Sequence, residues 1–484
     1  MQWLWFVLRG SVSRGSVLRT STTIIAISAI LLASGCAVTL DGSYANRPAS
    51  KSPEPAVAPP RDIVGKNLIA LAFSGGGLRS AAFSFGVLQA LDEVDKTKGD
   101  LLDDLTFITS VSGGSLTAAY YGVHGKKTMQ DFRSKVLALD IERSMRLSAF
   151  SPEAIARVLK GGLNDRSNLI TALNKDIFAG ATFADMYKRK KPDVWINASD
   201  LYNRTPFPFL PPLFASMCSD LSSLPVAEAV YASMAVPLLF APLALETFPN
   251  DCTGPLPAWM DIAIEDPSSP RLLDAAARAA RNYRDPKVMR YVKLSDGGIT
   301  DNFGLSSILI GRAASRTLYG PLTDRDAVNV NRMLFLVVDA GRGPSGEWAL
   351  TPSGPSGFEI AVAATDAAID SAARNGFDAF KSMLAEWQTS VINYRCGLDR
   401  LDVLRLRGTL NDWNCKDVEF STALVTSNSL GSERAQAFGA IPTRLTLPAS
   451  DVDNAVATGR DATRANAEFQ KFLARRRNTS GTPP

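Results

Sequence analysis

Four near-continuous apolar runs of strand length lie along the chain, at residues 67–73, 105–111, 194–198 and 333–338. Runs that do not alternate between apolar and polar positions are typical of strands covered on both faces. The first two runs are each followed by glycines and then by apolar residues at helical spacing. This order predicts an α/β fold in which a mostly parallel central sheet is flanked by helices.

The chain beyond residue 345 has a different pattern. Residues 358–388 are rich in alanine with apolar residues at helical spacing, and residues 452–475 form a second helical pattern that ends in basic residues. We therefore expect residues 346–475 to be a largely helical C-terminal extension. A disordered tail is expected at residues 476–484.

The N-terminus has the features of an export signal. Three arginines precede an uncharged stretch at residues 21–32, which is too short to span a bilayer comfortably and is followed by small residues. The string L-A-S-G-C that ends at Cys36 resembles a bacterial lipobox, although Ala33 stands where leucine is usual. We expect a lipoprotein-type signal peptide at residues 1–35 and a lipid-modified Cys36. An uncleaved N-terminal anchor is the alternative.

Residues 36–62 are rich in proline, alanine and serine, the composition of an extended tether. The folded catalytic unit is therefore expected to cover residues 63–345. A lipid on Cys36 would attach the protein to a membrane surface of the bacterial cell envelope. Because Ala37 and not aspartate follows the cysteine, we expect an outer-membrane location facing the periplasm. An uncleaved anchor would instead give an inner-membrane location.

The amino-acid composition indicates a class of protein and argues against one kind of partner. Hydrophobic residues make up 46% of the chain and charged residues 21%, which is the balance of a soluble globular enzyme. The net charge of +4 is close to neutral for 484 residues, so the composition predicts no nucleic-acid partner. The chain has a single histidine, His124.

Four cysteines follow Cys36. An even number in an exported protein is compatible with disulfides between sequence neighbours, Cys218 with Cys252 and Cys396 with Cys415. Four free thiols explain the count equally well, and the sequence does not decide between the two.

A run of three glycines, Gly75, Gly76 and Gly77, follows the first predicted strand and opens the next helix. Consecutive glycines at a helix N-terminus let backbone N–H groups approach a bound group closely, either a phosphate or an oxyanion. The alternative is a tight turn that needs only the flexibility of glycine. A P-loop nucleotide site is excluded, because no G-K-[ST] follows the glycines.

Ser112 lies in the string S-V-S-G-G-S, between the second predicted strand and a helix. A serine with small neighbours at a sharp strand-to-helix turn matches the nucleophile elbow G-x-S-x-G, with Ser110 in place of the first glycine. The alternative is a serine that only caps the following helix.

Asp296 lies in the string L-S-D-G-G, at the end of a short apolar run. An aspartate followed by two glycines can project into a site and accept a hydrogen bond from a serine hydroxyl. Asp301 follows closely, but it precedes the apolar string F-G-L-S-S-I-L-I. We therefore interpret Asp301 as a cap for that helix.

These three motifs, in this order, resemble those of the patatin-like phospholipases, and of their bacterial members in particular. The resemblance extends through I-N-A-S-D-L at residues 196–201 and A-E-A-V-Y-A-S-M-A-V-P at residues 227–237, and it covers about residues 63–345. Ser80 and Ser110 stand where the family motifs have glycine. Neither change removes a group that the chemistry needs.

The resemblance implies a patatin-like three-layer fold and the activity of a serine lipid acyl hydrolase. Ser112 would attack an ester carbonyl while Asp296 accepts its proton. Substrates of the family are esterified lipids, namely phospholipids, lysophospholipids and simple acyl esters. No cofactor and no metal are expected.

The same resemblance gives roles to the glycine motif. The backbone N–H groups of Gly76 and Gly77, together with that of Gly75, would bind the developing negative oxygen. Arg79 would position this loop through hydrogen bonds and would take no chemical step.

Two other functions remain open at this point. In an acyltransferase, an alcohol or a lysolipid would replace water at the acyl-enzyme. A non-catalytic envelope lipoprotein would keep the fold without turnover. The presence of both Ser112 and Asp296 argues against this last function.

Catalysis is predicted to proceed without histidine. A Ser-His-Asp triad needs an imidazole about 3 Å from the serine hydroxyl. His124 is twelve residues beyond Ser112, and residues 114–122 have a helical pattern. A helix of this length places His124 about 18 Å along the axis from the serine. We expect His124 at the end of that helix, partly exposed.

Residues 206–214 form the apolar string P-F-P-F-L-P-P-L-F, in which the prolines forbid a regular helix or a central strand. We expect this loop to pack onto the core. The alternative is a loop that borders the acyl channel or touches a membrane.

Overall fold

The computed structural model of the chain describes residues 45–51, 66–144 and 162–479, except residues 95, 99, 165, 190, 253, 344 and 345. The predicted signal peptide, Cys36 and most of the predicted tether lie outside the described residues. Residues 480–484 of the predicted tail also lie outside them, whereas residues 476–479, which were expected to belong to that tail, continue the last helix.

An eight-stranded sheet forms the centre of the fold. Its strands follow the order β12-β11-β2-β3-β5-β10-β9, and β6 pairs with β5. The pairs from β12 to β5 are parallel, whereas β10 and β6 pair with β5 in the antiparallel sense, and β9 with β10. The prediction of a mostly parallel sheet is confirmed. The strands are β1 (Arg47–Pro48), β2 (Asn67–Phe73), β3 (Leu105–Val111), β4 (Gly162–Asn164), β5 (Asp193–Asp200), β6 (Thr205–Pro208), β7 (Ser219–Asp220), β8 (Leu238–Phe240), β9 (Leu243–Glu246), β10 (Tyr291–Asp296), β11 (Arg332–Asp339) and β12 (Glu419–Thr426).

Helices cover both faces of this sheet, which explains the unbroken apolar runs. Alternate side chains of β2 enter two different apolar clusters, because successive residues of a strand point to opposite faces. The α-helices are α1 (Gly77–Asp92), α2 (Gly113–His124), α3 (Thr128–Phe132), α4 (Ile141–Ser144), α5 (Arg166–Ala172), α6 (Phe183–Tyr187), α7 (Pro211–Ser216), α8 (Val226–Met234), α9 (Ala258–Glu265), α10 (Arg271–Arg284), α11 (Ser306–Ala314), α12 (Asp324–Asn329), α13 (Gly357–Cys396), α14 (Arg400–Arg407), α15 (Ser432–Gly439), α16 (Ala449–Ala465) and α17 (Ala467–Thr479).

The C-terminal region contains a strand that the sequence pattern did not predict. Strand β12 pairs with β11 in parallel along its whole length, so a segment beyond residue 345 completes the central sheet. The string E-F-S-T-A-L-V-T has no regular alternation, because its buried positions lie on both faces of the sheet, Phe420 on one face and Ala423 and Val425 on the other. The remainder of this region is largely helical, as predicted.

The predicted helix at residues 452–475 is two helices, α16 and α17. They meet at Asn466, whose side-chain oxygen accepts hydrogen bonds from the N–H groups of Glu468 and Phe469. An asparagine in this role satisfies the first free donors of a new helix, so it begins α17 and ends the continuous pattern.

Both pairs of neighbouring cysteines form disulfides, Cys218 with Cys252 and Cys396 with Cys415. The proline-rich string at residues 206–214 packs onto the core, as expected. Its three phenylalanines are buried, and it contains strand β6 followed by helix α7. The prediction that prolines forbid a helix here was wrong for α7, because its prolines occupy the first helical positions, where the missing N–H costs no hydrogen bond. Within the part of the chain that the structure describes, no helix is long and apolar enough to cross a membrane.

Candidate active site

Ser112 occupies a sharp turn between β3 and α2. Its backbone has φ 50° and ψ −124°, a conformation that residues other than glycine rarely adopt. The next residue has to be small, because a Cβ on Gly113 would lie 1.8 Å from the carbonyl oxygen of Gly77. The two glycine-rich turns are therefore in direct contact, as the predicted elbow requires.

The register of the sheet places Asp296 beside this turn. Val111, the last residue of β3, pairs with Asn197 of β5, and Asp296, the last residue of β10, pairs with the adjacent Ala198. The Ser112 hydroxyl donates a hydrogen bond of 2.8 Å to Oδ2 of Asp296. The sequence-predicted serine and aspartate are thus within reach of each other.

The carboxyl group of Asp296 is held from two sides. Oδ1 accepts a hydrogen bond of 2.8 Å from the N–H of Gly298, while Oδ2 accepts that of Ser112. Burial raises the pKa of Asp296 to about 6, although these two hydrogen bonds act in the opposite direction. A carboxylate with a pKa near 6 is largely ionised at neutral pH and is a stronger base than an ordinary aspartate.

Buried serine hydroxyl groups form hydrogen bonds that hold the turn at Ser112. The N–H of Ser112 donates to Oγ of Ser233 over 2.8 Å, and Ser233 donates to the carbonyl oxygen of Asn197 over 2.6 Å. Ser115 lies 3.0 Å from the same Ser233 hydroxyl. Neither Ser233 nor Asn197 was predicted to have a role, although they lie in the strings at residues 227–237 and 196–201 that resemble the family.

The glycine loop differs from the sequence prediction at Gly75. Its N–H already donates to Oδ1 of Asn302 over 3.1 Å, so it is not free to bind a substrate oxygen. The N–H groups of Gly76 and Gly77 have no acceptor among the described residues. Gly76 has φ 135° and Gly77 has φ 62°, and these positive angles form the turn at the N-terminus of α1.

Asn302 is a site residue that the sequence did not identify. Besides its side chain, its carbonyl oxygen accepts the Gly75 N–H over 3.3 Å, so it fixes the start of the glycine loop to the turn that follows Asp296. No motif signals this contact, because the two residues are 227 positions apart.

Arg79 connects the helix behind the loop to two other segments. Its side chain is buried and donates to the carbonyl oxygen of Ala340 over 3.0 Å and to that of Ile441 over 2.6 Å. Burial, together with the nearby charge of Arg342, lowers the pKa of Arg79 to about 10. The guanidinium remains charged at neutral pH and fastens α1 to the end of β11 and to the C-terminal region.

A second contact joins the glycine loop to the C-terminal region. The N–H of Leu78 donates to the carbonyl oxygen of Arg444 over 2.8 Å. Glu142 in turn accepts hydrogen bonds from the Arg444 side chain and from the N–H groups of Leu445 and Thr446. Residues beyond 345 therefore help to shape the turn beside Ser112.

His124 is the last residue of α2, at the far end of the helix that Ser112 precedes. Its ring packs against Tyr120 with a centroid distance of 4.2 Å, and burial lowers its pKa. The predicted position at a helix end is confirmed.

Asp301 binds the start of α11, as predicted for a helix cap. Its Oδ2 accepts a hydrogen bond of 2.6 Å from the N–H of Ser306, and its Oδ1 accepts one of 2.9 Å from Gly304. These contacts use both oxygens of the carboxylate within the loop that leads to the helix. Asp296, and not Asp301, contacts Ser112.

Comparison with known proteins gives the family of the central part of the chain. Residues 71–309 match the patatin-like phospholipase family profile. These residues form a patatin-like phospholipase domain. The expected family and the patatin-like fold are confirmed, and lipid acyl hydrolase is the general class of this domain.

Two solved structures show similarity at low identity. VipD from Legionella pneumophila has 14% identity and a TM-score of 0.30, covering 86% of this chain and 67% of that chain. Human GIVD cytosolic phospholipase A2 has 12% identity and a TM-score of 0.38, covering 85% of this chain and 63% of that chain. No curated protein has a sequence that matches this chain.

Proposed function

We propose that this protein is a serine lipid acyl hydrolase of the phospholipase A, lysophospholipase or esterase type, with Ser112 as nucleophile and Asp296 as its base. The observation that supports this most directly is the 2.8 Å hydrogen bond from the Ser112 hydroxyl to Asp296. It occurs at a strand-to-helix turn that touches the glycine loop, where a nucleophile and oxyanion donors are needed together.

In the first half of the reaction, Ser112 Oγ forms a bond to the ester carbonyl carbon while its proton moves to Oδ2 of Asp296. The carbonyl oxygen becomes an oxyanion, which the N–H groups of Gly76 and Gly77 stabilise by about 3 kcal/mol for each donor. The bond to the alcohol then breaks, and the proton on Asp296 passes to the leaving oxygen. An acyl-enzyme on Ser112 remains.

In the second half, water attacks the same carbonyl carbon and gives one proton to Asp296. The oxyanion forms again in the same place. The bond to Ser112 Oγ breaks, the serine regains a proton from Asp296, and the fatty acid leaves. One aspartate thus serves as base and as acid in both halves, so no histidine is required.

Substitution of the two residues tests this function. Ser112→Ala and Asp296→Asn should each reduce hydrolysis of a chromogenic short-chain ester and of phosphatidylcholine by at least about a thousandfold. Circular dichroism would show whether each variant is folded. Folded variants that keep a tenth or more of wild-type activity would overturn the dyad.

The fate of the acyl group distinguishes hydrolysis from transfer. With an acyl-labelled phospholipid and an added lysolipid, a hydrolase releases labelled free fatty acid and transfers no label to the lysolipid. Diacyl product formed at the expense of fatty acid would identify an acyltransferase instead.

We also propose that Cys36 is the lipid-modified first residue of the mature protein and that the enzyme is attached to the outer membrane facing the periplasm. The L-A-S-G-C string and the residue after Cys36 support this location. Mass spectrometry of the mature N-terminus is the test. An N-terminal peptide that begins at Met1, or an unmodified Cys36, would exclude the lipid anchor.

A further inference from the structure

Helix α13 runs along one face of the sheet and reaches the edge where Ser112 lies. Phe380 packs on Phe335 in the middle of β11 with a centroid distance of 5.0 Å. One turn earlier, Phe377 contacts Phe303, which follows Asn302 of the candidate site. The chain direction of α13 is therefore opposite to that of β11, and the helix starts on the side of the sheet that bears the site.

The beginning of this helix extends beyond the sheet. Ala373 is the first buried residue of α13 among those whose side chains are described, and Asp366 is the first that interacts with charges of the domain. Residues 357–365 therefore extend about 14 Å beyond this contact at 1.5 Å per residue. We call residues 347–372 the arm. Four of its large apolar side chains are exposed, with Trp348 at 37%, Leu350 at 87%, Ile360 at 53% and Val362 at 42%, whereas Ile369 is half-buried.

The arm bears four carboxylates: Glu347 precedes the helix, and Glu359, Asp366 and Asp370 lie on one stripe of it. Asp366 and Asp370 lie seven and three residues before Ala373, on the helix stripe that continues into the core. Burial raises the pKa of Asp366, which also interacts with Asp370 and with the cations Arg342 and Arg79 of the domain. The opposite stripe bears no charge; it contains Ile360, Ala364, Ala367, Ala368 and Ser371.

We infer that the arm docks on the neutral, zwitterionic surface of the phospholipid bilayer that holds the substrate. This inference rests on the proposed function, because the ester of a membrane lipid must leave the bilayer beside Ser112 and the arm projects from that same edge. Residues 347–373 contain no lysine or arginine, so attraction to anionic head groups is not the basis of the contact.

The size and composition of the arm favour a bilayer over a second copy of the chain. A stable dimer buries about 800 Å² on each partner with a continuous apolar centre. The arm has a few large apolar side chains separated by alanines, which is too little for such a centre. Shallow insertion of an aromatic residue and a few aliphatic side chains is enough for adsorption at a lipid interface.

The test compares two double variants of the full chain, each of which adds two charges on exposed leucine or isoleucine positions. Leu350→Asp with Ile360→Asp alters the arm. Leu401→Asp with Leu404→Asp is the control; these leucines are 76% and 45% exposed and lie on α14, beyond the opposite end of α13. Any binding through residues 1–44 is common to both variants.

The arm variant should reduce hydrolysis of phosphatidylcholine in vesicles by at least about tenfold, the effect of losing the burial of one aliphatic side chain. It should leave hydrolysis of a soluble short-chain ester within about twofold. Acyl-chain-brominated phosphatidylcholine should quench part of the tryptophan fluorescence of the wild type, and Trp348→Phe should remove that part. The control variant should behave like the wild type in all three measurements.

Several results would overturn the docking surface. These are equal losses on vesicles and on the soluble ester, equal losses in both double variants, or quenching that persists in Trp348→Phe. Concentration-dependent dimerisation abolished by the arm variant would identify a second copy as the partner. If the wild type hydrolysed no ester at all, the proposed function would fail, while the quenching experiment would still test the arm.

Discussion

Oγ of Ser112 lies 2.8 Å from Oδ2 of Asp296, and both side chains are nearly excluded from solvent. Exclusion of water strengthens this hydrogen bond and at the same time makes the charged form of the aspartate more costly. The pKa of about 6 is the result of that balance. It leads to predictions for both activity and stability.

The first prediction concerns the dependence of activity on pH. Asp296 can accept the serine proton only when it is ionised, so activity should fall as the pH drops through about 6. The measurement is kcat/KM between pH 4.5 and 8.5 with a short-chain ester that does not itself ionise. A profile that stays flat down to pH 4.5 would contradict a base with a raised pKa.

The second prediction concerns the stability of Asp296→Asn. The folded pKa is raised from 3.8 to about 6, so the folded state binds the proton more tightly than the unfolded state. The raised pKa contributes to the free energy of unfolding. This contribution is fully present below about pH 4 and is lost as the pH rises through 6. This loss amounts to about 3 kcal/mol at most, since one pKa unit corresponds to 1.4 kcal/mol.

The neutral amide of an asparagine at position 296 carries no charge, so its burial costs less free energy than that of the carboxylate. It replaces the two hydrogen bonds of Asp296 only in part. Asp296→Asn should therefore be more stable than the wild type by about 1–3 kcal/mol at pH 8 and nearly equal to it at pH 4. Urea unfolding at the two pH values measures the difference. A variant less stable than the wild type at pH 8 would show that the carboxylate is held by favourable interactions that outweigh its burial.

The third prediction concerns His124, which packs on Tyr120 at the far end of α2. His124→Ala should keep at least about half of the esterase activity and lose about 1 kcal/mol of stability, the typical cost of a lost packing contact. The pH profile of the variant should retain the fall near pH 6. A folded His124→Ala that was as inactive as Ser112→Ala would invalidate the Ser-Asp dyad.

The fourth prediction concerns Glu142, which holds the segment whose Arg444 carbonyl accepts the Leu78 N–H. Glu142→Ala should lower kcat for ester hydrolysis by about five- to tenfold and leave KM within about twofold. The reason is that the adjacent N–H groups of Gly76 and Gly77, the proposed oxyanion donors, would act on charge that exists only in the transition state. Glu142→Gln should recover part of kcat, because its amide oxygen can still accept the Leu445 N–H.

A matched control for this change is Asp461→Ala. It removes the ion pair of Asp461 with Arg434, which is also partly exposed and lies within the C-terminal region, and neither residue bonds to the glycine loop. The control should leave kcat unchanged. A loss of kcat in the control as large as in Glu142→Ala would show that general loosening of this region, and not the loop contact, lowers activity.

Local features of the sequence were sufficient to predict the parallel strands and the three motifs. A run such as residues 68–73 has no polar position on either face, which is typical of a strand covered on both sides. The turn at Ser112 needs small neighbours because two backbones meet there, and that requirement is visible as the string S-G-G-S. The distance from Ser112 to His124 followed from helix geometry alone.

The partners of these motifs were decided by tertiary contacts between residues distant in sequence. Asn302 accepts a hydrogen bond from the Gly75 N–H, and burial raises the pKa of Asp296. The carbonyl oxygen of Arg444 accepts a hydrogen bond from the start of α1. Strand β12 was missed because an edge strand alternates weakly over a few residues and obtains its place only from its neighbour. The sequence by itself determined which chemical groups stand at which turns, since backbone geometry is local. Only the tertiary structure decided which of those groups are free, which are occupied and how buried they are, because hydrogen bonding and desolvation depend on every segment that packs around the site.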